Sequence, residues 1–256
     1  MTDGTKVDST DAFATRMASV PDQVLVDFDQ PADVVAPQLL GGILRLGHVA
    51  VRITEVEAYL GESDPASHAF KGPTPRCATM FGPSSHLYVY ASYGIHRAGN
   101  LVCSPDGHAG GVLLRGGEVV AGYNVARRRR GPKALDAALA RGPGNLGQAM
   151  GFDLELNGAE VRQGEIPDSS AQSDSATAPA PSDSSNPVGS AERAVSSAAV
   201  SLPVLYFRRA TEPVEFVAGK RIGISKNVEA PLRFWIPGDP TVSTPRGRPR
   251  PFKPQV

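Results

Sequence analysis

The run Val49-Ala50-Val51-Arg52-Ile53-Thr54-Glu55-Val56-Glu57, continued by Ala58-Tyr59-Leu60-Gly61, decides how this chain is read. Its β-branched residues predict a strand over 49–57. With a period of two, Val51, Ile53, Glu55, Glu57 and Tyr59 share one face, and Arg52, Thr54, Val56, Ala58 and Leu60 share the other. Each face changes polarity midway. A strand that leaves a core and enters a cleft has this pattern, and a β-bulge would help it turn. Glu55 and Glu57 then form a pair of carboxylates at strand spacing, where like charge pushes one pKa up. Two solvated strand carboxylates fit the same pattern. Arg115, at the end of the apolar run Gly111-Val112-Leu113-Leu114-Arg115, is a cation able to neutralise the pair from a buried position. A carboxylate kept ionised by such a partner can activate water as a general base.

Upstream, Ala32 to Leu46 is largely apolar with Gly41-Gly42 inside it. The pattern predicts a short helix over Val34–Leu40, with Pro37 in its first turn and the glycines ending it. Downstream, residues 61–86 lack periodicity and are rich in Gly and Pro, so a long functional or disordered loop is expected. Leu87–Ala91 and Leu101–Cys103 are predicted strands, with a turn at Ser92-Tyr93-Gly94. Gly111–Arg115 is a further short strand, and Val119–Arg130 and Ala134–Arg141 are predicted helices. Another helix begins after Gly142-Pro143-Gly144-Asn145, with Leu146 and Met150 at i, i+4. Strands resume over Leu202–Arg208, Ile222–Ser225 and Leu232–Ile236.

Residues 168–200 are mostly Ser, Ala, Pro and Asp, with no aromatic residue, Leu or Ile. Such a segment cannot bury enough surface to offset its ordering entropy, which predicts a disordered insertion in a single domain spanning 21–243. Residues 1–20 are expected to be flexible and 244–256 to form a Pro/Arg-rich tail. A hydrophobic content of 41% is enough for a packed core, while Gly 27 and Pro 23 signal many turns. No apolar run approaches the ~18 residues of a membrane span, and the N-terminus has no basic-then-apolar signal pattern, which favours the cytosol. The protein is expected to be a monomer. Cys77 and Cys103 are not spaced as a metal or redox pair and fit buried, idle thiols. The five histidines form no ligand cluster, so no metal site is expected. The formal net charge is zero, lower than expected of a nucleic-acid binder. The charge is uneven, however, with basic blocks at Arg127–Lys133 and Arg246–Lys253.

Tyr59, His68, Tyr88, Tyr90 and Tyr93 supply flat rings near the paired carboxylates in sequence. Alternating aromatics on a strand also serve core and cross-strand packing. Tyr93 differs because it sits at a predicted hairpin tip beside Gly94, where a ring is a candidate wedge between bases. Gly142-Pro143-Gly144-Asn145 before a helix offers free N–H groups to a phosphate, although a plain helix start has the same appearance. The Arg127–Arg130 run fits a solvated helix face or, beside a wedge, phosphate contacts from Arg127 and Arg128.

Taken together, Glu55-Val56-Glu57-Ala58-Tyr59-Leu60-Gly61, His68, Thr74-Pro75-Arg76, Met80-Phe81, Leu87-Tyr88-Val89-Tyr90, Tyr93-Gly94, Asn100 and Val112-Leu113-Leu114-Arg115 resemble the alkyladenine type of 3-methyladenine DNA glycosylase. Gly142-Pro143-Gly144-Asn145-Leu146 and Pro231-Leu232-Arg233-Phe234 fit the same family, and the likeness covers about 23–165 and 202–243. The resemblance implies a mixed α/β (α+β) single domain with a curved, mostly antiparallel sheet, surrounding helices and a protruding DNA-wedge hairpin. It implies Glu57 as catalytic base and Arg115 beside the catalytic water. It implies Tyr59, His68, Tyr90 and Asn100 as the base pocket, and Tyr93 as the intercalating residue. Arg76, Arg127, Arg128 and Gly144 are candidate contacts to the DNA backbone. Glu55 is expected to support rather than catalyse. No metal or cofactor is implied. The partner is double-stranded DNA carrying alkylated or deaminated purines, and with no Lys placed as a nucleophile no lyase step is expected.

The chain departs from the family pattern at His96-Arg97-Ala98-Gly99, where a bulkier apolar stretch is the rule, and at the 168–200 insertion. Two other classes remain open at this stage: a carbohydrate O-glycosidase using the paired carboxylates, and a damaged-DNA binder that stacks bases without cutting.

Overall fold

The computed structural model describes residues 25–92, 94, 96–167 and 202–243. The expected flexible N-terminus, the expected 168–200 insertion, the 244–256 tail and Tyr93, the expected wedge, lie outside the described residues. Among them, three helices flank one sheet of ten strands. The helices are α1 (Ala32–Leu39), α2 (Tyr123–Arg130) and α3 (Pro143–Met150). The strands are β1 (Ile43–Leu46), β2 (Val49–Tyr59), β3 (His86–Ser92), β4 (His96–Val102), β5 (Gly111–Ala121), β6 (Ala140–Arg141), β7 (Ala159–Gln163), β8 (Leu205–Arg208), β9 (Val217–Gly219) and β10 (Arg233–Trp235). Their order is β6-β5-β4-β3-β7-β8-β1-β2-β10-β9, and a further β5–β2 pairing closes the central strands into a barrel-like ring. Among the described strands, only β7 and β8 pair in parallel. The curved, mostly antiparallel sheet of a mixed α/β domain is therefore as expected.

Strand β2 does turn at a bulge. Its pairing with β5 advances two residues from Ile53 to Glu55 while β5 advances one, from Gly117 to Gly116. One step later β5 skips Arg115, so that Val56 pairs with Leu114. The first bulge moves the core face of β2 from the odd positions Val49, Val51 and Ile53 to the even positions Val56 and Ala58, all fully or almost fully buried in one core. Glu55 and Glu57 are thereby aimed away from that core. The face assigned by strict alternation, which joined Val51 and Ile53 to the glutamates, is broken at this point.

Other elements differ from expectation for local reasons. Helix α1 starts at Ala32 after Pro31, so Pro37 stands in its second turn. Residues 119–121 continue β5 instead of opening a helix, since β-branched Val119 and Val120 suit the pleat. Helix α2 starts only after Gly122, whose φ is 69°. A side chain there would also place its Cβ 2.1 Å from the carbonyl oxygen of His48. Gly122→Ala is expected to lower stability by about 1–3 kcal/mol, read as a shift of the denaturant midpoint, because it adds left-handed strain to a backbone clash. The predicted helix at 134–141 is a single 3-10 turn, Asp136–Ala138, followed by β6. Loop 61–86 carries only two 3-10 turns, Gly61–Ser63 and Ala78–Phe81. Both cysteines are buried free thiols, as expected.

Candidate active site

The C-terminal half of β2, the β3–β4 hairpin, the start of loop 61–86 and residues 222–226 surround a cleft of about 590 Å³. Tyr59, His68, Arg76, Tyr88, Tyr90, Asn100, Arg115, Pro143 and Ile222 are among its lining residues. Sequence residues expected in the base pocket, Tyr59, His68, Tyr90 and Asn100, thus come together. His68 stands edge-on to Tyr90, with centroids 4.7 Å apart and planes at 90°, and shares a 3.1 Å hydrogen bond through Nδ1 with the Tyr88 hydroxyl. Tyr88 stacks on Tyr90 at 5.7 Å. Tyr88 is therefore both a core residue and a strut behind the pocket, and burial pushes its phenol up to about 12. Burial and the nearby Arg76 hold His68 below its ordinary pKa, so its imidazole is neutral at pH 7. Asn100 faces the cleft from β4, opposite Leu113 of β5 and Tyr88 of β3.

The two glutamates, both fully buried, have different environments. Glu55 is saturated: Oε1 accepts from Arg115 Nε at 3.1 Å, Arg233 Nε at 2.6 Å and Ser243 Oγ at 2.9 Å, and Oε2 accepts from the Ser243 N–H at 2.6 Å. Glu57 is held by groups of the cleft wall. Its Oε1 accepts from the Ile222 N–H at 2.7 Å and lies 3.3 Å from Arg115 Nη1, and its Oε2 accepts from the Tyr59 hydroxyl at 3.0 Å. Burial pushes the Glu57 carboxyl above its ordinary range, while Arg115, the Ile222 N–H and the Tyr59 hydroxyl each pull it back. Burial and the Glu57 charge push the Tyr59 phenol up, so it stays a donor. Glu57 is thus a buried carboxylate whose three donors all belong to the cleft wall.

The candidate backbone contacts divide. Arg76 reaches over the Tyr90 ring, 5.9 Å from its centroid, at the cleft. Arg127 is an internal brace rather than a free cation: it bonds the Tyr123 hydroxyl, the Ala134 carbonyl and Asp136. Arg128 is exposed. Gly144 opens α3 beside the cleft residue Pro143, and a Cβ there would come 2.8 Å from His96 Cγ. Leu146 is the first residue of α3 whose N–H finds an intrahelical acceptor, leaving the Gly144 and Asn145 N–H groups at the open end.

Several site residues escaped the sequence reading. Residues 222–225, predicted as a strand, form a loop wall, and the Ile222 N–H serves Glu57 instead of a ladder. Arg233 pairs with Glu55, and Ser243 hydrogen-bonds it through its N–H and hydroxyl. Lys226 also lines the cleft, with Nζ 5.9 Å from the Phe70 ring centroid. Arg221 and Asp64 form a buried pair behind Tyr59. One of these, Arg233, was hinted at in the sequence by the family-like run Pro231-Leu232-Arg233-Phe234.

Comparison with known proteins gives the same direction. The model of the methylpurine-DNA glycosylase family matches residues 26–240. The chain is 58% identical over 223 residues to a Corynebacterium jeikeium protein named "Putative 3-methyladenine DNA glycosylase", covering 87% of this chain and 92% of that one. Proteins of the same name from Cutibacterium acnes and Corynebacterium glutamicum (strain R) are 50% and 49% identical. These cover 87% and 88% of this chain, and 100% and 89% of their own lengths. Matched by the family over residues 26–240, the chain belongs to the methylpurine-DNA glycosylases and is a DNA N-glycosylase, an enzyme of base excision repair.

Proposed function

We propose that this enzyme extrudes alkylated purines such as 3-methyladenine and 7-methylguanine from duplex DNA and hydrolyses the N-glycosidic bond with water activated by Glu57. The observation that carries the reading is the setting of Glu57: a buried carboxylate whose three donors, Tyr59, Ile222 and Arg115, all line one ring-walled cleft. The cleft volume of about 590 Å³ suits a small organic ligand. The flipped base stacks among Tyr59, His68 and Tyr90. An alkylated base is cationic, and electron-rich rings favour a desolvated cation by ~1–2 kcal/mol. As water attacks C1′, its proton passes to Glu57, the C1′–N bond breaks, and the bonding electrons neutralise the departing base. The carboxylate also stabilises the positive charge that develops on the sugar. Asn100 screens the purine edge, and Arg76 and the α3 terminus at Gly144 hold phosphates.

The carbohydrate glycosidase reading loses support because Glu55 is enclosed by Arg115, Arg233 and Ser243, leaving one carboxylate to act instead of two. The test is incubation with methylated duplex DNA and chromatography of the released bases. Free 3-methyladenine or 7-methylguanine is the expected product, and DNA bound without release would leave a damage binder. Borohydride treatment of the same reaction probes Lys226, because a trapped covalent complex would replace hydrolysis by amine attack.

Tyr93 stands in the sequence between β3 and β4 and completes the proposal as the wedge. Tyr93→Ala is expected to slow excision from duplex DNA by about tenfold or more while sparing single strands, which have no partner stack to hold open. Single-turnover excision on matched duplex and single-stranded oligonucleotides checks this. Equal slowing on both, with a lower melting temperature, would make Tyr93 a packing residue.

A further inference from the structure

Arg221 has a side chain with no exposure to solvent, and its guanidinium joins three parts of the cleft wall. It pairs with Asp64 through both Nη atoms, with Nη2 2.9 Å from Oδ1. Its Nη1 also donates to the Ala58 carbonyl at 2.9 Å. Its Cζ lies 4.5 Å from the centroid of the Tyr59 ring. Asp64 in turn accepts from the Leu60 and Ala66 N–H groups, at 3.3 and 3.1 Å, and from Asn227 Nδ2 at 3.1 Å. The pair thus fastens the end of β2, the loop that leads to His68, and the 221–227 wall to one another. A buried ion pair is a poor source of stability, so its value here lies elsewhere.

That value is legible in what the pair touches. Glu57 has two neutral donors, the Tyr59 hydroxyl and the Ile222 N–H. Arg221 backs the ring that carries the first and is covalently joined to the residue that carries the second. We propose that Arg221, locked by Asp64, is a positioning residue for base excision: it holds both neutral donors against Glu57 and so keeps that carboxylate aimed at the cleft. This rests on Glu57 being the general base. The charged and titratable groups facing Glu57 are Arg115 from β5, Tyr59 and Glu55 on its own strand, and Arg221 from the 221–227 segment, while Arg233 of β10 turns to Glu55. Both donors pull the Glu57 pKa down against its burial. If Arg221 no longer places them, that pKa rises further, less Glu57 is ionised under acid conditions, and excision is lost there first.

The experiment is single-turnover release of 7-methylguanine from duplex DNA between about pH 5 and pH 8, where the cationic base needs no protonation to leave. Arg221→Lys keeps the charge on Asp64 but loses the fork that reaches Ala58 and Tyr59. Arg221→Met with Asp64→Asn removes the pair without stranding a buried charge, and guards against a single variant that fails to fold. The expected result is an acid limb moved to higher pH in each folded variant, by about one pH unit, or roughly a tenfold loss at the acid end that recovers on raising the pH. A uniform loss at every pH, or an unchanged profile, would overturn the positioning role. Glu57→Gln is run beside them: if it excises at the parent rate, the general-base reading fails independently of Arg221.

Discussion

Glu57→Gln is expected to reduce base release from methylated duplex DNA by about 10²–10⁴-fold, the range associated with a general base, while leaving lesion binding intact. The amide keeps an oxygen for the Ile222 N–H, and the Tyr59 hydroxyl can rotate to accept from the new NH₂. The same substitution should not cost stability. Burial raises the Glu57 pKa in the folded state above its unfolded value. The folded protein therefore binds that proton more tightly than the unfolded chain does. The stabilisation is complete below the unfolded pKa and is lost as pH rises through the folded one. Wherever Glu57 is ionised, the parent carries a buried charge that the variant lacks. The melting temperature of Glu57→Gln should equal or exceed that of the parent at pH 7, with the gap closing as pH falls. A variant that melts early at pH 7 would mean that the carboxylate is a structural anchor.

Glu55→Ala should behave in the opposite way. Glu55 has no exposure, and Arg115 and Arg233, themselves nearly buried, both direct guanidinium nitrogens at it. Removing the carboxylate leaves two cations without their counter-charge and the Ser243 N–H without its acceptor. Breaking one partner out of a buried ionic group costs about 3–5 kcal/mol, which for a domain of ordinary stability is a large share of the whole. Urea or thermal unfolding should register that loss. Two glutamates separated by a single residue would then divide into one whose loss removes chemistry and one whose loss removes the fold. Equal behaviour of the two in both assays would contradict this division.

The sequence disclosed the change of polarity along β2 because the glutamates interrupt an otherwise apolar run, and a bulge is the local answer to such a conflict. It could not disclose the second bulge, at Arg115, because compensation occurs between strands that are 60 residues apart. Short strands such as β1, β6 and β9 have too few residues to display a period. Residues 222–225 have a β-branched pattern, yet their wall role is set by Glu57 capturing the Ile222 N–H. The pocket rings and Arg115 were visible through their resemblance to a known family. Asp64, Arg221 and Ser243 were not, and Arg233 was visible only as part of a motif without a role, since each acquires meaning only through a long-range partner.

The departure at His96-Arg97-Ala98-Gly99 has a packing reason. A Cβ on Gly99 would meet the Phe152 ring at 2.6 Å, and one on Gly147 of α3 would meet the Arg97 carbonyl oxygen at 1.9 Å. Small residues on both sides let α3 and Phe152 lie directly against the hairpin base. Arg97 adds an ion pair with Asp153 at 3.2 Å, so contact with α3 and the following turn takes the place of apolar bulk within the hairpin.

The parallel pairing of β7 with β8 bears on how the gene can vary in length. Val161 lies beside Leu205 and Gln163 beside Phe207, so the chain leaving β7 has to travel back to the start of that strand before β8 can begin. A hairpin turn cannot make that journey, and parallel neighbours need a crossover of roughly a dozen residues. Above that minimum, each doubling of the connection costs only about 0.6 kcal/mol of closure entropy. The join between these strands is thus a place where residues can be gained freely and lost only down to a floor. A reporter or tag spliced there would tax the fold lightly, whereas trimming the connection to a tight turn would open the ring.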